Sequence, residues 1–501
     1  MPPTCVLVPF WVEWATVRLT LTGIRRFVVA LGLMGASLVS REARAQANYD
    51  GAVLGGRTTM MGGAAVARGS DGAVLFLNPA GITRIPGESF SFGTVALSYS
   101  HRFYSGASDP DGKFQFPQPQ TNQLELRVLP NTFCLFLDGP HKDSYSQRSR
   151  HKFGLCVADL EQENILINDN RASDDAIASL ASRSEFKRTS SVATWGIELW
   201  RGTSVGVSAR LDNSGLDDTT NAEQILPDES HVMAMTHSRR GLSWDTSITL
   251  GISHLIGDHL TLGASVTTPS QHIIGWHDGA DSVFDPSTGT STLTQEEGDY
   301  AYSVPASIRL GLALSWPRVN FEIDGHFYAA EDALSRARFT RSEFQTSSSG
   351  SVVDVTSGRY EVTERARPVT NLSIGLEAFL QRDFSVLAGI QTDFTALYPR
   401  HDQPASETMF RQERDAVSAT LGVATYTRRG TILLGLRGTY SEGTILMPDP
   451  SGTSAAFFAL PQTRYSVSVV LSGQLSLEGV RDTAMRAAAP LLPDKEKGSK
   501  R

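Results

Sequence analysis

Apolar residues recur at every second position through most of this chain, and no long stretch of its body keeps a helical period. The alternation runs through Leu242, Trp244, Ile248, Leu250 and Ile252, and through Ile308, Leu310, Leu312 and Leu314. It returns in Val319, Phe321 and Ile323, in Leu372, Ile374 and Leu376, in Ile432, Leu434 and Leu436, and in Tyr465, Val467, Val469 and Leu471. Successive side chains of a strand point to opposite faces, so these are strands with one apolar and one polar face.

The connections narrow the choice. Tight ones fall at Arg201-Gly202, Ile256-Gly257-Asp258, Trp316-Pro317-Arg318, Gln381-Arg382-Asp383 and Arg428-Arg429-Gly430. Between them lie long polar stretches near 105–121, 162–185, 213–234, 277–299, 331–358, 397–413 and 446–462. Regular alternation of long and short connections is the pattern of a transmembrane antiparallel β-barrel, with outer loops at one end and turns at the other. A soluble β-sandwich has no need of it. The count gives strands near 89–104, 122–137, 151–161, 186–200, 203–212, 235–255, 259–276, 300–315, 319–330, 359–380, 384–396, 414–427, 431–445 and 463–478. That is about 14, an even number that leaves both ends periplasmic. The fold class expected is therefore all-β, a closed barrel spanning residues 89–478.

Composition agrees. A mean hydropathy of −0.16 excludes a bundle of membrane helices, which needs several apolar runs of about 20 residues. The net charge of −8, with no basic cluster in the body of the chain, gives no support for nucleic-acid binding. Three cysteines exclude a metal site built on paired cysteines. At the N-terminus Arg25-Arg26, the apolar run Phe27 to Val39 and Ala43-Arg44-Ala45 read as a secretory signal peptide over residues 1–45. Pro2, Pro3, Pro9, Glu13, Trp11 and Trp14 sit oddly in such a signal, as a start site assigned too far upstream would explain.

Between the signal and the first strand, Gly55 to Arg84 follows neither period for long. It contains Met61-Gly62-Gly63-Ala64, a Ser70-Asp71-Gly72 turn and Asn78-Pro79-Ala80. Such a segment buries no face of its own and must be held by its surroundings; a Gly-rich surface loop fits this stretch equally well. The two motifs resemble the plug segment of the long-chain fatty acid transporter family of outer-membrane proteins (FadL/TodX type). Other pieces are similar to the same family: Val304-Pro305-Ala306-Ser307-Ile308-Arg309-Leu310-Gly311, Leu262-Gly263-Ala264-Ser265 with Pro269 and Gly275, and Leu129-Pro130 ahead of Phe153-Gly154-Leu155.

The resemblance implies that residues 46–88 form an N-terminal plug, or hatch, inside the barrel. The plug motif would be Met61, Gly62, Gly63, Asn78, Pro79 and Ala80. It also implies outer-membrane transport of hydrophobic small molecules, long-chain fatty acids by default, by a monomer in contact with outer-membrane lipid and lipopolysaccharide, with no cofactor. Family members capture substrate in an apolar groove between the third and fourth outer loops. The third loop here supplies Ile225, Leu226, Val232, Met233 and Met235, whereas the fourth has only Val283, Phe284 and Leu293 as sizeable apolar residues. A second departure is the polar C-terminal tail, 479–501, where the family ends on an aromatic residue. A non-transporting barrel with a structural or surface-binding role is the alternative function.

Catalytic and metal signatures are weak. Gly202-Thr203-Ser204-Val205-Gly206 fits G-x-S-x-G, but its serine starts a strand instead of turning into a helix. The histidines show no metal-ligand spacing, and no Ser/His pair for an enzyme can be assembled. Asp174 to Ala181 is a helix-like loop segment expected to pack on the rim. Strand parity turns Asp245, Arg309, Asn320, Glu322, Asp324, His326 and Glu377 into the lumen, where they would pair with one another. Arg309 is expected beside Asp324 and His326, or, in a functional role, to meet a ligand carboxylate with its fork of donors. Cys134 and Cys156 flank the 138–150 connection at nearly equal distances. The narrow geometry of a disulfide makes two free thiols the expectation.

Overall fold

The computed structural model describes residues 48–477, apart from 105–119, 127–129, 140–148, 173–176, 226–231, 286–287, 348–351, 399–402, 405–408, 411, 428 and 449–455. Fourteen antiparallel strands close into a barrel. They are β1 (Ser89–Tyr104), β2 (Gln120–Leu126, resumed at Thr132–Asp138), β3 (His151–Ala172), β4 (Ile177–Trp200), β5 (Thr203–Ile225), β6 (Val232–Ile256) and β7 (Leu260–Thr267, resumed at Gln271–Asp285). The others are β8 (Thr290–Tyr302, resumed at Ser307–Ser315), β9 (Val319–Tyr328, resumed at Glu331–Thr346), β10 (Val352–Ala366, resumed at Val369–Gln381), β11 (Phe384–Asp393), β12 (Gln412–Thr427), β13 (Gly430–Pro448) and β14 (Ala456–Ser476). The ring closes where β1 pairs with β14, Ser89 against Ser476 through Tyr104 against Gln462. Four of the five tight connections expected from the sequence are turns between strands, and the fifth joins β12 to β13 with Arg428 outside the described residues.

Outward-facing Leu250, Ile252, Ile308, Leu421, Leu434 and Val467 form the apolar belt. Trp244, Trp276, Tyr440 and Tyr465 stand exposed further up the strands, and Trp200 and Trp316 beside the tight turns. Aromatic girdles of this kind mark the two faces of a bilayer. Above Trp244 the outer face becomes charged, with Arg240 near Asp217 (3.8 Å) and Arg338 on Glu361 (2.9 Å).

The strands therefore continue well past the belt. β6 has 25 residues, where about 9–11 suffice to cross. Most stretches expected as long outer loops, including 162–172, 213–225, 277–285 and 331–346, are strand extensions in water. Water on both faces leaves no apolar alternation to read, which is why their polarity suggested loops. The same correction covers 177–181, expected as part of a helix-like segment and found at the start of β4.

Residues 48–88 carry only short helical turns, Gly56–Met60, Val74–Leu77 and Pro79–Arg84. They run along inward-facing glycines of ten strands. A Cβ on Gly154, Gly196, Gly206, Gly251, Gly263, Gly311, Gly375, Gly389, Gly422 or Gly435 would come within 3.0 Å of an atom of this segment. Many of these glycines are direct cross-strand partners: Gly196 with Gly206, Gly206 with Gly251, Gly263 with Gly311, Gly375 with Gly389, and Gly422 with Gly435. They make a belt on the inner wall where another backbone approaches closely. Replacing Gly206 or Gly389 by valine should cost about 1–3 kcal/mol, as overpacking does. The loss should appear as a lower unfolding temperature of the full chain and should vanish in a form lacking residues 50–80.

Candidate functional site

The lumen is built in layers, and the lowest is the contact of residues 48–88 with the wall. β9, which offers no glycine to this contact, supplies two carboxylates instead. Asp324 Oδ2 accepts from the amides of Ala65 (2.7 Å) and Val66 (2.8 Å). Glu322 Oε1 accepts from Ala67 (2.7 Å) and Arg68 (3.0 Å). Four successive backbone amides thus meet the oxygens of two buried carboxyl groups. Arg57 pairs with Glu377 at 2.9 Å. Asp50 accepts from Asn371 (2.7 Å) and the Tyr328 hydroxyl (2.8 Å) and faces His326 (2.8 Å).

Met61 and Asn78 are fully buried. The Asn78 side chain donates to the carbonyls of Val66 (2.7 Å) and Ile252 (3.0 Å) and accepts from the Ala80 amide (3.2 Å), bracing the turn that Pro79 opens. Gly62 and Gly63 have φ of 63° and 85°, and a Cβ on Gly62 would clash with the backbone of Ile390. Both a left-handed conformation and a close approach call for glycine there.

Asp245, Arg309, Glu322, Asp324, His326 and Glu377 all point inward and are buried, and half-buried Asn320 donates to Glu377 at 3.1 Å. The ion pair expected for Arg309 does not form. His326 is its cross-strand neighbour, but Asp50 engages His326 and the Ala65 and Val66 amides occupy Asp324. Arg309 instead donates to Thr267 and to the Tyr328 hydroxyl, both at 3.2 Å, and lies over the Tyr328 ring. The expectation failed because residues far away in sequence, in the N-terminal segment, take the partners that strand pairing alone would offer. Cys134 and Cys156 are joined by a disulfide, correcting the expectation of free thiols. They are direct partners on β2 and β3, 4.0 Å apart at Cα.

Above this contact lies a charged layer. Glu163 is shared by Arg102 (2.9 Å), Arg414 (3.0 Å) and Arg464 (3.1 Å). Beside it the wall changes: the β2–β3 ladder runs from Asp138 against Lys152 to Thr132 against Ala158, and β3 then bulges at Asp159–Glu161. Further up, β2 pairs with β1 and β3 with β4, and no ladder joins β2 to β3 among the described residues.

Two apolar layers complete the lumen. One gathers Tyr49, Phe186, Tyr302, Leu334 and Phe339 with Leu397, Met409 and Phe410. The last three belong to a connection expected as an outer loop; these parts of it fold inward, with the Met409 and Phe410 amides on Glu364 (2.9 and 3.0 Å). Phe186, Tyr302 and Phe410 form the centre, their rings 5.1–6.0 Å apart. The other layer holds Tyr104, Ile165, Ile167, Leu180, Ala222, Met235, Ile445 and Leu460, all buried and inward-facing near the outer ends of their strands.

Among the capture residues suggested by the family resemblance, Met235 lies in this second layer. Ile225 and Val232 are backbone partners at the end of the β5–β6 hairpin, and Met233 pairs with Gln224. They lie on strands and not in a loop, while Leu226 falls outside the described residues. Residues 1–45 and 479–501 also fall outside them. Sequence reasoning missed the inward phenylalanine and methionine of the β11–β12 connection, although Met409-Phe410 beside a polar run was a visible signal. It also missed a constellation of Ser243, Asp245 and His272, with Ser243 Oγ 2.7 Å from Asp245 and 3.2 Å from His272. Ser243 is fully buried and accepts from the Tyr302 amide, so the group braces the break in β7 and exposes no nucleophile.

No protein-family model matches the chain, and no functionally curated protein matches it. Solved structures do. A FadL homologue of Pseudomonas aeruginosa superposes with a TM-score of 0.52 at 12% identity, covering 87% of this chain and 100% of that one. The toluene transporter TodX of Pseudomonas putida gives 0.53 at 15%, covering 86% and 99%. The monoaromatic hydrocarbon channel CymD gives 0.51 at 11%, covering 85% and 97%. At such identities the likeness establishes a shared fold.

The carboxylates of β9 give a direct test. Asp324→Ala should speed hydrogen exchange at the Ala65 and Val66 amides while leaving Ala67 and Arg68 slow, at a cost of about 1–3 kcal/mol for each amide left buried without its partner. Uniform exchange across 65–68 in both forms would contradict this assignment.

Proposed function

We propose that this chain is an outer-membrane channel for hydrophobic small molecules, in which residues 46–88 act as the plug. The observation that carries the reading is the upper apolar layer. Large barrels ordinarily have polar interiors, yet here Ile165, Ile167, Leu180, Met235 and Leu460 turn inward above the charged layer. Such a surface shelters an apolar solute from the polar lipopolysaccharide layer outside. The transport functions named for the similar barrels support the same reading, and long-chain fatty acids remain the default substrate, with monoaromatic hydrocarbons next. The unladdered wall between β2 and β3 offers an apolar solute a sideways exit into the bilayer.

Cells carrying the gene should take up labelled oleate or toluene faster than cells without it. Replacing Leu180 and Met235 together by asparagine should lower that uptake with the barrel still folded. Equal uptake of both compounds with and without the gene would leave the structural or surface-binding role as the better account. The plug is tested separately. A form lacking residues 50–80 but keeping the signal peptide should assemble and conduct ions in planar bilayers far better than the intact chain. No gain in conductance would mean that the segment does not close the lumen.

A further inference from the structure

Two cavities lie along one side of the N-terminal segment, one beyond the other. The upper, about 200 Å³, adjoins Gly51–Val53 and is walled by Val95, Ser98, Arg437, Thr439, Ser466 and Ser468. The lower, about 150 Å³, adjoins Leu54–Arg57 and is walled by Ser91, Thr132, Thr431, Leu433, Ser472 and Gln474. Both are bounded by β12, β13, β14 and β1, the upper also by β3 and Asp393 and the lower by Thr132 of β2. The inner face of β14 therefore reads Ser466, Ser468, Val470, Ser472, Gln474, a polar column with one apolar interruption. Val470 is fully buried, in one small apolar cluster with Val53, Met60, Met61, Leu387, Ala424 and Leu433.

We propose that a second route, leading to the periplasm and suited to small polar or charged solutes, runs down this wall and is held shut by the apolar cluster that holds Val53, Val470 and Leu433. The inference rests on the reading of the barrel as a passage across the outer membrane. Arg414, Arg437 and Arg464 with Glu161, Glu163 and Asp393 line the upper cavity. A hydrocarbon there would strip water from these groups and return no hydrogen bond, whereas an ion or a polar solute replaces that water. The two chemistries thus part company in the lumen: apolar solutes keep to the upper layers, and polar ones find the column. Near the seal, Thr132 donates to the Val53 carbonyl and Arg437 to that of Gly51 (2.7 Å). Gly56 lies close against Ser472 below the seal. On the opposite side the segment is pressed backbone to backbone on Gly206 and Gly263, and the cavity there, walled by Arg188, Arg210, Thr267 and Arg309, is only about 40 Å³.

The test is potassium chloride conductance of the purified full chain in planar bilayers. Val470→Ala and Val53→Ala should each raise it several-fold, and Ser468→Trp added to Val470→Ala should return it to the native level. Ile82→Ala truncates the segment where it fits against Gly154 and Gly196 and should leave conductance unchanged. The inference is overturned if Ile82→Ala raises conductance as much as Val470→Ala. It is equally overturned if Val470→Ala and Val53→Ala, shown folded by their heat-modifiable gel mobility, conduct like the native chain. Uptake of oleate and toluene by the native chain separates the two readings. Uptake present with seal variants silent sinks the route and spares hydrophobic transport; uptake absent with seal variants conducting does the reverse.

Discussion

The backbone of the N-terminal segment runs closer to the barrel wall than any Cβ would permit, and much of the molecule follows from that spacing. Ten strands give up a side chain at one level, and β9 replaces the missing glycine with Glu322 and Asp324, whose carboxylates hold four consecutive amides. A segment rich in glycine and alanine has little apolar area to bury, so its attachment cannot come from side-chain packing alone. Shape and hydrogen bonds replace it. The glycines bring the backbone within reach, and the carboxyl groups then satisfy amides that the short helical turns leave without partners. Neither feature suffices singly: glycines without the carboxylates would bury unpaired amides, and carboxylates behind bulkier residues would be out of reach.

This belt was legible in the sequence, though not by strand patterning. The alternation of apolar and polar residues located all fourteen strands and the tight turns, because the bilayer imposes an apolar outer face that period-two reading detects. The same reading sorted Asp324, His326 and Glu377 to the inside. It passed over the glycines, since each looked like a small residue on the polar face of its own strand: Leu250-Gly251-Ile252, Leu310-Gly311-Leu312, Ile374-Gly375-Leu376 and Leu434-Gly435-Leu436. Only their recurrence, one to a strand, shows a common cause. The strand extensions were unreadable for the opposite reason, because water on both faces removes the contrast. Partner choice inside the lumen was also out of reach. Which group takes His326 depends on Asp50, 276 residues away.

The layered lumen bears on how charge and an apolar solute can share one interior. Most of the buried charges are committed. Glu163 neutralises parts of three arginines, Glu296 holds Arg239 at 3.2 Å and Arg341, and Arg57 is tied to Glu377. Isolated ions would be far too costly at such burial, while paired and hydrogen-bonded ones approach neutrality toward what passes them. These networks therefore stiffen the wall without presenting a strong field to an uncharged molecule. Removing one partner would change that, since the orphaned charge would draw in water.

Charge and apolar surface also differ with depth in the lumen. The cluster of Ile165, Ile167, Leu180 and Met235 occupies the outer part of the lumen, where, under the proposed function, a hydrophobic molecule arriving from outside first leaves water. The Glu163 group lies beneath it, level with its cross-strand partner Phe186 and beside the place where the β2–β3 ladder stops. A solute that cannot hydrogen-bond gains nothing by going deeper, because below it meets committed charges and then a segment bound to the wall through its backbone. Under the proposed function, the lowest-cost way onward for such a molecule is sideways. The differing polarity of these regions would, under that function, sort solutes by chemistry before any part of the protein moves.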